Sequence, residues 1–325
     1  MKTLYIETAC TDPHRNLALE ELLLRDLPPD SVCLYLWQNQ NTVVIGRHQN
    51  PWRECRVQLM EQEGAILARR LSGGGAVYHD LGNLNFTFVS DRRHYDLHRQ
   101  LGVVLSAVRS LSIPAEFTGR NDLTADGGKF SGNAFCFRER TAFHHGTLLL
   151  SADIGKMGRY LQVSSEKMQS KGIDSVRARV VNLTEFNPAI TVDTMKQALK
   201  TAFDIEYGGP LELLTETDAA DPGELERIAR RNASWEWRFG HTPRFDIELD
   251  NRFVWGGVTL ALTVRDGRVQ AAACWSDAMD EAFISSIAPA LTGVPFSPAS
   301  LAEAVAALQG AEAADLAAWL REKDF

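Results

Sequence analysis

The sequence contains no hydrophobic run long enough to cross a lipid bilayer, and its first residues lack the pattern of a secretory signal. The apolar run Leu4–Ile6 stops at Glu7, whereas a membrane-spanning helix needs about 20 consecutive apolar residues. The absence of both signals excludes a membrane protein and predicts a cytoplasmic location.

Cysteines are also few, and basic residues are outnumbered by acidic ones. The five cysteines are widely spaced and form no C-x-x-C pair, which predicts reduced thiols and excludes a disulfide framework or a zinc site. With 34 basic and 42 acidic residues the net charge is −8, which argues against non-specific binding of nucleic acid. The 325 residues, 45% of them hydrophobic, are sufficient for a large core and predict two domains.

The most distinctive segment places two arginines beside three consecutive glycines. Arg69 and Arg70 follow the apolar residues 66–68 and precede Gly73–Gly75. Glycine has no Cβ, so a ligand can approach its backbone N–H groups closely. A guanidinium group suits phosphate or carboxylate. The segment therefore indicates an anion-binding loop, the alternative being a glycine hairpin with solvated arginines.

The residues after the glycines alternate between apolar and polar. This pattern predicts a strand over Ala76–Leu81 and another over Leu84–Val89, joined in a hairpin by a turn at Gly82–Asn83.

A second group of polar residues surrounds the turn Asp126–Gly128. Asp-Gly-Gly is a strong hairpin signal, and the hairpin would bring Asp122 and Lys129 together across the ladder. Asp122 would then hold a metal on phosphates while Lys129 stabilises the reacting oxygens. The alternative is a solvated surface ion pair.

The third group contains the adjacent histidines His144 and His145. Neighbouring residues of a strand point to opposite faces, so the pair is not predicted to chelate a metal. Cys136 lies nearby and is a candidate nucleophile, although its neighbours Phe135 and Phe137 favour an inert, packed thiol.

Periodicity predicts the remaining elements. Residues 164–182 are polar, basic and irregular, and they predict either a lid or a solvated connector. Strands are predicted at Thr3–Ile6, Val32–Trp37, Thr42–Ile45, Phe245–Leu249, Arg252–Trp255, Val258–Val264 and Arg268–Trp275, and helices at Asn16–Leu27, Arg53–Glu63, Leu97–Leu111, Met157–Leu161, Thr191–Ile205, Glu281–Thr292 and Ser300–Arg321.

Several of these motifs, in this order, resemble the lipoate–protein ligase A family over nearly the whole chain. The segments that carry the resemblance are Gly46–Trp52, Arg69–Asn83, Gly119–Leu123, Lys129–Ala134, His144–Leu149, Ser170–Leu183 and Ser234–Pro243. The resemblance implies an α/β fold, a biotin-protein-ligase-like mixed sheet with flanking helices, plus a small C-terminal α+β accessory domain. It implies a catalytic domain at 1–240 and an accessory domain at 245–325.

The resemblance also implies an activity. Lipoate's carboxylate would attack the α-phosphate of Mg²⁺-bound ATP, and the resulting lipoyl-AMP would acylate a lysine of a carrier domain. Lys129 would be the catalytic residue. ATP and the adenylate would be bound by Arg70, Gly75, Ala76, Val77, Tyr78, Lys129, Asp122, Arg177 and Asn182, with Asp122 on the magnesium side. Lipoate would be bound by Leu17, Val44, Arg70, Ser72, Gly73, Gly74, His79, Lys129, His145 and Thr147, with Val77 also lining the slot for its tail.

The implied acceptors are lipoyl domains of 2-oxoacid dehydrogenase complexes or the glycine cleavage H protein, and the implied state is a monomer. Two features depart from the family pattern, the tight turn before Lys129 and the aromatic Phe130 after it. Two alternatives stay open: a transferase that carries octanoyl or lipoyl as a cysteine thioester, and a lipoate-binding protein without turnover.

Overall fold

The computed structural model describes residues 1–118, 122–162, 180–239, 247–265 and 267–323, without the side chains of Trp52 and Arg53. The strands are β1 (Lys2–Glu7), β2 (Ser31–Trp37), β3 (Thr42–Ile45), β4 (Ile66–Arg69), β5 (Val77–His79), β6 (Asn83–Asp91), β7 (Ala115–Thr118), β8 (Asp122–Ala125), β9 (Gly128–Phe137), β10 (Thr141–Leu149), β11 (Leu211–Leu213), β12 (Ile247–Phe253), β13 (Gly256–Arg265) and β14 (Arg268–Ser276).

Helices of various lengths cover these strands. They are α1 (Pro13–Asp26), α2 (Pro51–Glu54), α3 (Val57–Gln62), α4 (Leu97–Ser110), α5 (Ile154–Tyr160), α6 (Val192–Tyr207), α7 (Glu216–Ala219), α8 (Pro222–Ala233), α9 (Trp235–Phe239), α10 (Glu281–Leu291), α11 (Pro298–Ala306) and α12 (Ala311–Arg321).

Local sequence signals explain where the first long helix begins and ends. The Asp12 carboxylate caps α1 by accepting a hydrogen bond from the backbone N–H of His14 at 2.8 Å, and Pro13 occupies the first turn, where no N–H is needed. The helix ends before the proline pair Pro28–Pro29, which cannot continue it. Its apolar face, including Leu17, lies in the core.

The largest sheet has eight strands in the order β11-β1-β2-β6-β10-β9-β8-β7. Its first three strands are parallel and the others are antiparallel. One face packs against α4 and α6, and the opposite face packs against α1 and α8. The predicted mixed α/β fold with flanking helices is therefore confirmed.

The hairpin predicted from the strands Ala76–Leu81 and Leu84–Val89 is wrong. Strand β5 pairs with β3 in a small sheet of order β4-β3-β5, whereas β6 pairs with β2 and β10 in the large sheet. All nine residues of β6 are buried, and a strand with a neighbour on both sides cannot also form a hairpin with β5. The Gly82–Asn83 turn thus passes the chain from one sheet to the other.

The C-terminal segment has its own antiparallel sheet, β12-β13-β14, and a core shared with α10, α11 and α12. Here two predicted boundaries are wrong. The helix predicted at Ser300–Arg321 is two helices, because Gln309 and Gly310 adopt φ of 61° and 100°, in the left-handed region that stops a helix. The strands predicted on either side of Asn251 are one strand, since Asn251 stays paired with Val258.

A further wrong boundary lies in the N-terminal part of the chain, where the helix predicted over Arg53–Glu63 is interrupted between α2 and α3. The backbone of Cys55 pairs with Leu161 at the interruption, and Arg56 N–H donates to Tyr160 at 2.9 Å. Among the described residues, no helix combines the length and the apolar character needed to cross a membrane.

Candidate active site

A row of residues crosses the large sheet on its α1 face. Trp37 pairs with Asn85, Asn85 with Thr147, and Asp122 with Gly132. The N–H of Gly132 donates to Thr147 Oγ1 at 3.2 Å, which joins the two halves of the row. Strands are about 4.8 Å apart, so the row spans roughly 19 Å from Trp37 to Asp122.

A cavity of about 160 Å³ lies along this row, between the large sheet and the small one. It contains most of the residues predicted to bind lipoate or the adenylate. Those lining it are Leu17, Val44, Arg70, Gly75, Ala76, Val77, His79, Lys129, His145 and Thr147.

Sequence reasoning missed other lining residues, among them Trp37, Asn85 and Met279. Trp37 and Asn85 lie in strands whose sequence indicates only burial, so no local signal marked them. Met279 lies some two hundred residues from the glycine loop, which comprises Ser72–Gly75, and only the fold brings it there.

Arg70 is buried beneath the glycine loop, and its guanidinium donates hydrogen bonds to other atoms of the protein. Its Nη2 donates to the carbonyls of Gly73 and Gly75 at 2.7 and 2.8 Å, and its Nε donates to Ser72 Oγ at 2.9 Å. Nη1 donates to the carbonyl of Val44 at 3.2 Å. Burial lowers the pKa of Arg70 to about 10, so it remains charged at neutral pH and holds the loop in place.

A buried chain of polar groups extends from Arg70 to α1. The Ser72 hydroxyl is 2.8 Å from His145 Nε2, and His145 Nδ1 is 2.8 Å from the carboxylate of Glu20. Thr87 also donates to Glu20, at 2.7 Å. His144, on the opposite face, packs against Phe86 and Phe88, so the two histidines do point in opposite directions as predicted.

Lys129 and Asp122 occupy the other end of the row. The Asp126–Gly127 turn has φ of 47° and 71°, the signature of a type I′ hairpin. It pairs Thr124 with Lys129, and Lys129 Nζ lies 2.6 Å from Asp122 Oδ1. Both side chains are about one third exposed, so the predicted pair forms at the open end of the cavity.

The other predicted residues lie around the cavity or outside the description. Ser72, Gly73 and Gly74 form the loop behind it. The ring of Tyr78 points away and packs on Tyr160, which leaves only its backbone near the cavity. The Asn182 amide holds Ala152 through two hydrogen bonds of 2.8 and 3.0 Å.

Residues 163–179 lie outside the described residues, as do residues 119–121. They include Arg177 and most of the segment 164–182 that was predicted to be a lid or a connector. Within the described parts of the chain, no group of three acidic, histidine or cysteine residues has the arrangement of a metal site.

The C-terminal segment covers the glycine loop. The N–H of Gly74 donates to the carbonyl of Ala278 at 3.0 Å, and a Cβ on Gly73 would lie only 2.4 Å from that oxygen. Gly74 adopts φ of +87°, which also favours glycine. The loop needs glycine here because a backbone from another part of the chain packs directly on it.

Cys136, the alternative nucleophile, is buried outside the cavity lining. Its thiol donates to Glu281 Oε1 at 3.3 Å, and Arg138 pairs with the same carboxylate at 2.8 Å. Burial and the nearby Glu281 carboxylate raise the pKa of Cys136. Because the thiolate is the nucleophilic form, this environment favours an inert thiol.

Two family models match the chain. The model of the lipoyl protein ligase A/B catalytic domain matches residues 12–204, and that of the bacterial lipoate protein ligase C-terminus matches residues 242–320. A lipoate-protein ligase A from Psychrobacter cryohalolentis is 43% identical over 303 residues, which cover 91% of this chain and 89% of the relative.

Solved structures agree with these matches. Plasmodium falciparum LipL1 in complex with lipoate has a TM-score of 0.87 at 26% identity and covers 99% of this chain and 100% of its own. A bipartite lipoate protein ligase from Thermoplasma acidophilum, described with its E2 lipoyl domain, has a TM-score of 0.63 at 27% identity. The match covers 76% of this chain and 100% of the ligase chain. A lipoate-protein ligase A bound with ATP has a TM-score of 0.61 at 27% identity, and the match covers 74% of this chain and 99% of that ligase. The chain therefore belongs to the lipoate–protein ligase A family.

Proposed function

We propose that this protein activates lipoate with ATP and transfers the lipoyl group to a lysine of a carrier domain. The observation that carries the proposal is the cavity along the sheet row, which is closed at Trp37 and reaches Lys129 at its more exposed end. A carboxylic acid with a long tail fits this arrangement, because its carboxylate can lie at Lys129 while its tail extends towards Trp37. The lipoate-bound and ATP-bound relatives support the same pair of substrates.

In the first step a lipoate carboxylate oxygen attacks the α-phosphorus of ATP, and pyrophosphate leaves. Negative charge accumulates on the phosphoryl oxygens in the transition state, and the Lys129 ammonium stabilises it. The backbone from Gly75 to Tyr78, held by Arg70, positions the carboxyl and nucleotide end. Asn182 and Arg177 belong to the segment that we propose closes over the nucleotide.

In the second step the amine of an acceptor lysine attacks the acyl carbonyl of lipoyl-AMP. The new amide bond forms as the acyl–phosphate bond breaks, and AMP leaves. Neither step needs a protein nucleophile, so positioning and charge carry the catalysis.

We infer that the acceptors are lipoyl domains of 2-oxoacid dehydrogenase complexes or the glycine cleavage H protein. The Thermoplasma acidophilum ligase described with its E2 lipoyl domain supports the first class. We further propose a cytoplasmic monomer with a catalytic domain at 1–240 and an accessory domain at 245–325.

The residues at the open end fit a magnesium ion carried by ATP. Magnesium is commonly held by one or two carboxylates together with substrate phosphates, and Asp122 is a partly exposed carboxylate beside Lys129. Magnesium bound there would neutralise phosphate charge. Asp122 also pairs with Lys129 and keeps its ammonium at the cavity mouth.

ATP–pyrophosphate exchange tests this function. We expect exchange that requires lipoate, and transfer of the lipoyl group to an apo lipoyl domain measured by mass spectrometry. Cys136→Ser should retain both activities. Absence of exchange would contradict the ligase, and octanoyl transfer that is lost in Cys136→Ser would establish the cysteine-dependent transferase instead. Tight lipoate binding with neither activity would indicate a binding protein.

A further inference from the structure

The closed end of the cavity contains polar atoms that an apolar acyl tail does not explain. Two side chains there, His79 and Asn85, line the cavity and are buried to 3% and 1% exposure. Within the described residues, His79 Nε2 and Asn85 Nδ2 have no hydrogen-bond partner. A buried donor without a partner is costly, so these atoms call for a physical explanation.

A chain of hydrogen bonds fixes which nitrogen of His79 carries the proton. Asn16 Nδ2 donates to the carbonyls of Cys10 and Gln38 and also to Asn39 Oδ1. The two backbone carbonyls can only accept, so this end of the Asn16 amide must be the NH₂ group. Asn39 then presents its own NH₂ group to His79 Nδ1 at 3.1 Å.

Because Nδ1 of His79 accepts, the proton of the neutral imidazole is on Nε2. Burial and the charge of Arg70 lower the pKa of His79 to about 3, so the ring is neutral at physiological pH. His79 therefore offers an N–H donor at the cavity. In Asn85, Oδ1 accepts from Asn83 at 2.9 Å, which leaves the NH₂ group without a partner.

These donors lie far from the groups that face the nucleotide. Asn85 is three strand positions from Asp122 along the sheet row, roughly 14 Å. His79 lies against Trp37, with ring centroids 6.1 Å apart, and Trp37 pairs directly with Asn85. An acid whose carboxylate reaches Lys129 would place the far end of its tail at this pair.

We infer that His79 and Asn85 recognise the sulfur atoms of the dithiolane ring and make the site prefer a sulfur-containing acyl tail over a hydrocarbon tail. This inference rests on the proposed function. Divalent sulfur is a weak acceptor, whereas a methylene group accepts nothing and leaves both N–H groups buried without a partner. The preference would come from the free-energy cost of leaving both N–H groups unpaired when a hydrocarbon tail is bound.

The test compares lipoate with cyclopentylpentanoate, the same acid with methylene groups in place of both ring sulfurs. In the unmodified protein we expect kcat/KM for pyrophosphate exchange to favour lipoate about tenfold. Equal use of the two acids would overturn the inference, while lipoate-dependent exchange itself would still support the ligase. If neither acid supports exchange, the proposed function fails, and calorimetric binding of the two acids decides the inference separately.

Two variants locate the effect. Asn85→Leu keeps the approximate side-chain volume and removes the donor, and His79→Phe removes the other one. Each should reduce the preference severalfold by improving use of the hydrocarbon acid. Leu17→Met is the matched control, because it alters the same cavity without changing a donor, and it should affect both acids alike. An unchanged preference in a folded Asn85→Leu protein, verified by its circular dichroism and thermal unfolding, would contradict the inference.

Discussion

Arg70 and Lys129 both line the cavity, but the protein uses their positive charges differently. Arg70 is 5% exposed and donates to four protein acceptors, three of them in the glycine loop segment. Lys129 is about one third exposed, and its ammonium pairs with the carboxylate of Asp122. The cavity is therefore lined by one buried cation that is bonded to the protein and by one accessible cation at its open end.

This difference indicates that Arg70 serves mainly the stability of the protein and Lys129 mainly the reaction. Removing the buried cation leaves carbonyl groups of Gly73 and Gly75 without a donor, so its loss should act first on stability. Removing the exposed cation leaves little unsatisfied, so its loss should act on the reaction. The following variants test that difference.

The largest effect is expected for Lys129→Ala. Loss of a positioned charge from a phosphoryl-transfer site should lower the rate of pyrophosphate exchange by about 10²- to 10³-fold. The free energy of unfolding, measured in urea, should change by less than about 0.5 kcal/mol. Lys200→Ala, in which the removed ammonium lies over the ring of Tyr5, is the control and should keep full activity. A fully active Lys129→Ala protein would refute the catalytic role.

Arg70→Met should cost about 3–5 kcal/mol of unfolding free energy, because it leaves buried acceptors unpaired in the glycine loop. Urea unfolding followed by circular dichroism measures this loss. The matched control is Arg227→Met, an exposed arginine paired with Glu224, for which little or no loss of stability is expected. Equal stability of the two variants would show that Arg70 does not hold the loop.

The closed end should also be sensitive to acid through His79. Its pKa is lowered to about 3 in the folded protein, whereas the unfolded chain takes up a proton near pH 6.5. The stability that the neutral ring contributes is complete above pH 6.5 and is lost as the pH falls towards 3.

From pH 7 to pH 5 this histidine should lower the unfolding free energy by about 2 kcal/mol. His79→Gln removes the titrating group. The unfolding free energy by which the unmodified protein exceeds the variant should therefore decrease by about 2 kcal/mol from pH 7 to pH 5. A gap that is constant with pH would contradict the assignment.

The smallest effect is expected for Arg138→Ala. Arg138 is about half exposed and pairs with Glu281 at the contact between the C-terminal segment and β9, so its loss should cost at most about 1 kcal/mol. Thermal unfolding measures this change. A larger loss would mean that the contact between the two segments, rather than the buried end of the cavity, dominates stability.

The sequence was informative about chemistry wherever a local motif carried it. The Asp-Gly-Gly turn predicted that Asp122 and Lys129 would meet, and they do, since a two-residue turn fixes the register of its strands. The opposite directions of His144 and His145 followed from the period of a strand. Their partners, Glu20 and the rings of Phe86 and Phe88, could not be predicted because they come from distant elements.

The glycine segment shows the opposite case. Alternation correctly marked strands on both sides of Gly82, but it could not reveal that β5 and β6 belong to different sheets. Pairing depends on which strands are already flanked by neighbours, and that information is spread over β2, β3 and β10. For the same reason the sequence did not show that the backbone of Ala278 packs on the glycine loop.

By itself the sequence determined the mixed α/β character of this protein, its family and the motifs at which its chemistry is concentrated. These follow from periodicity, turn residues and short motifs, all of which act over a few neighbouring residues. The tertiary structure decided which groups became buried and with whom they bonded. It made Arg70 a support for the loop, left Lys129 accessible and placed the unpaired donors of His79 and Asn85 at the closed end, because burial and hydrogen-bond partners arise only when distant segments pack together.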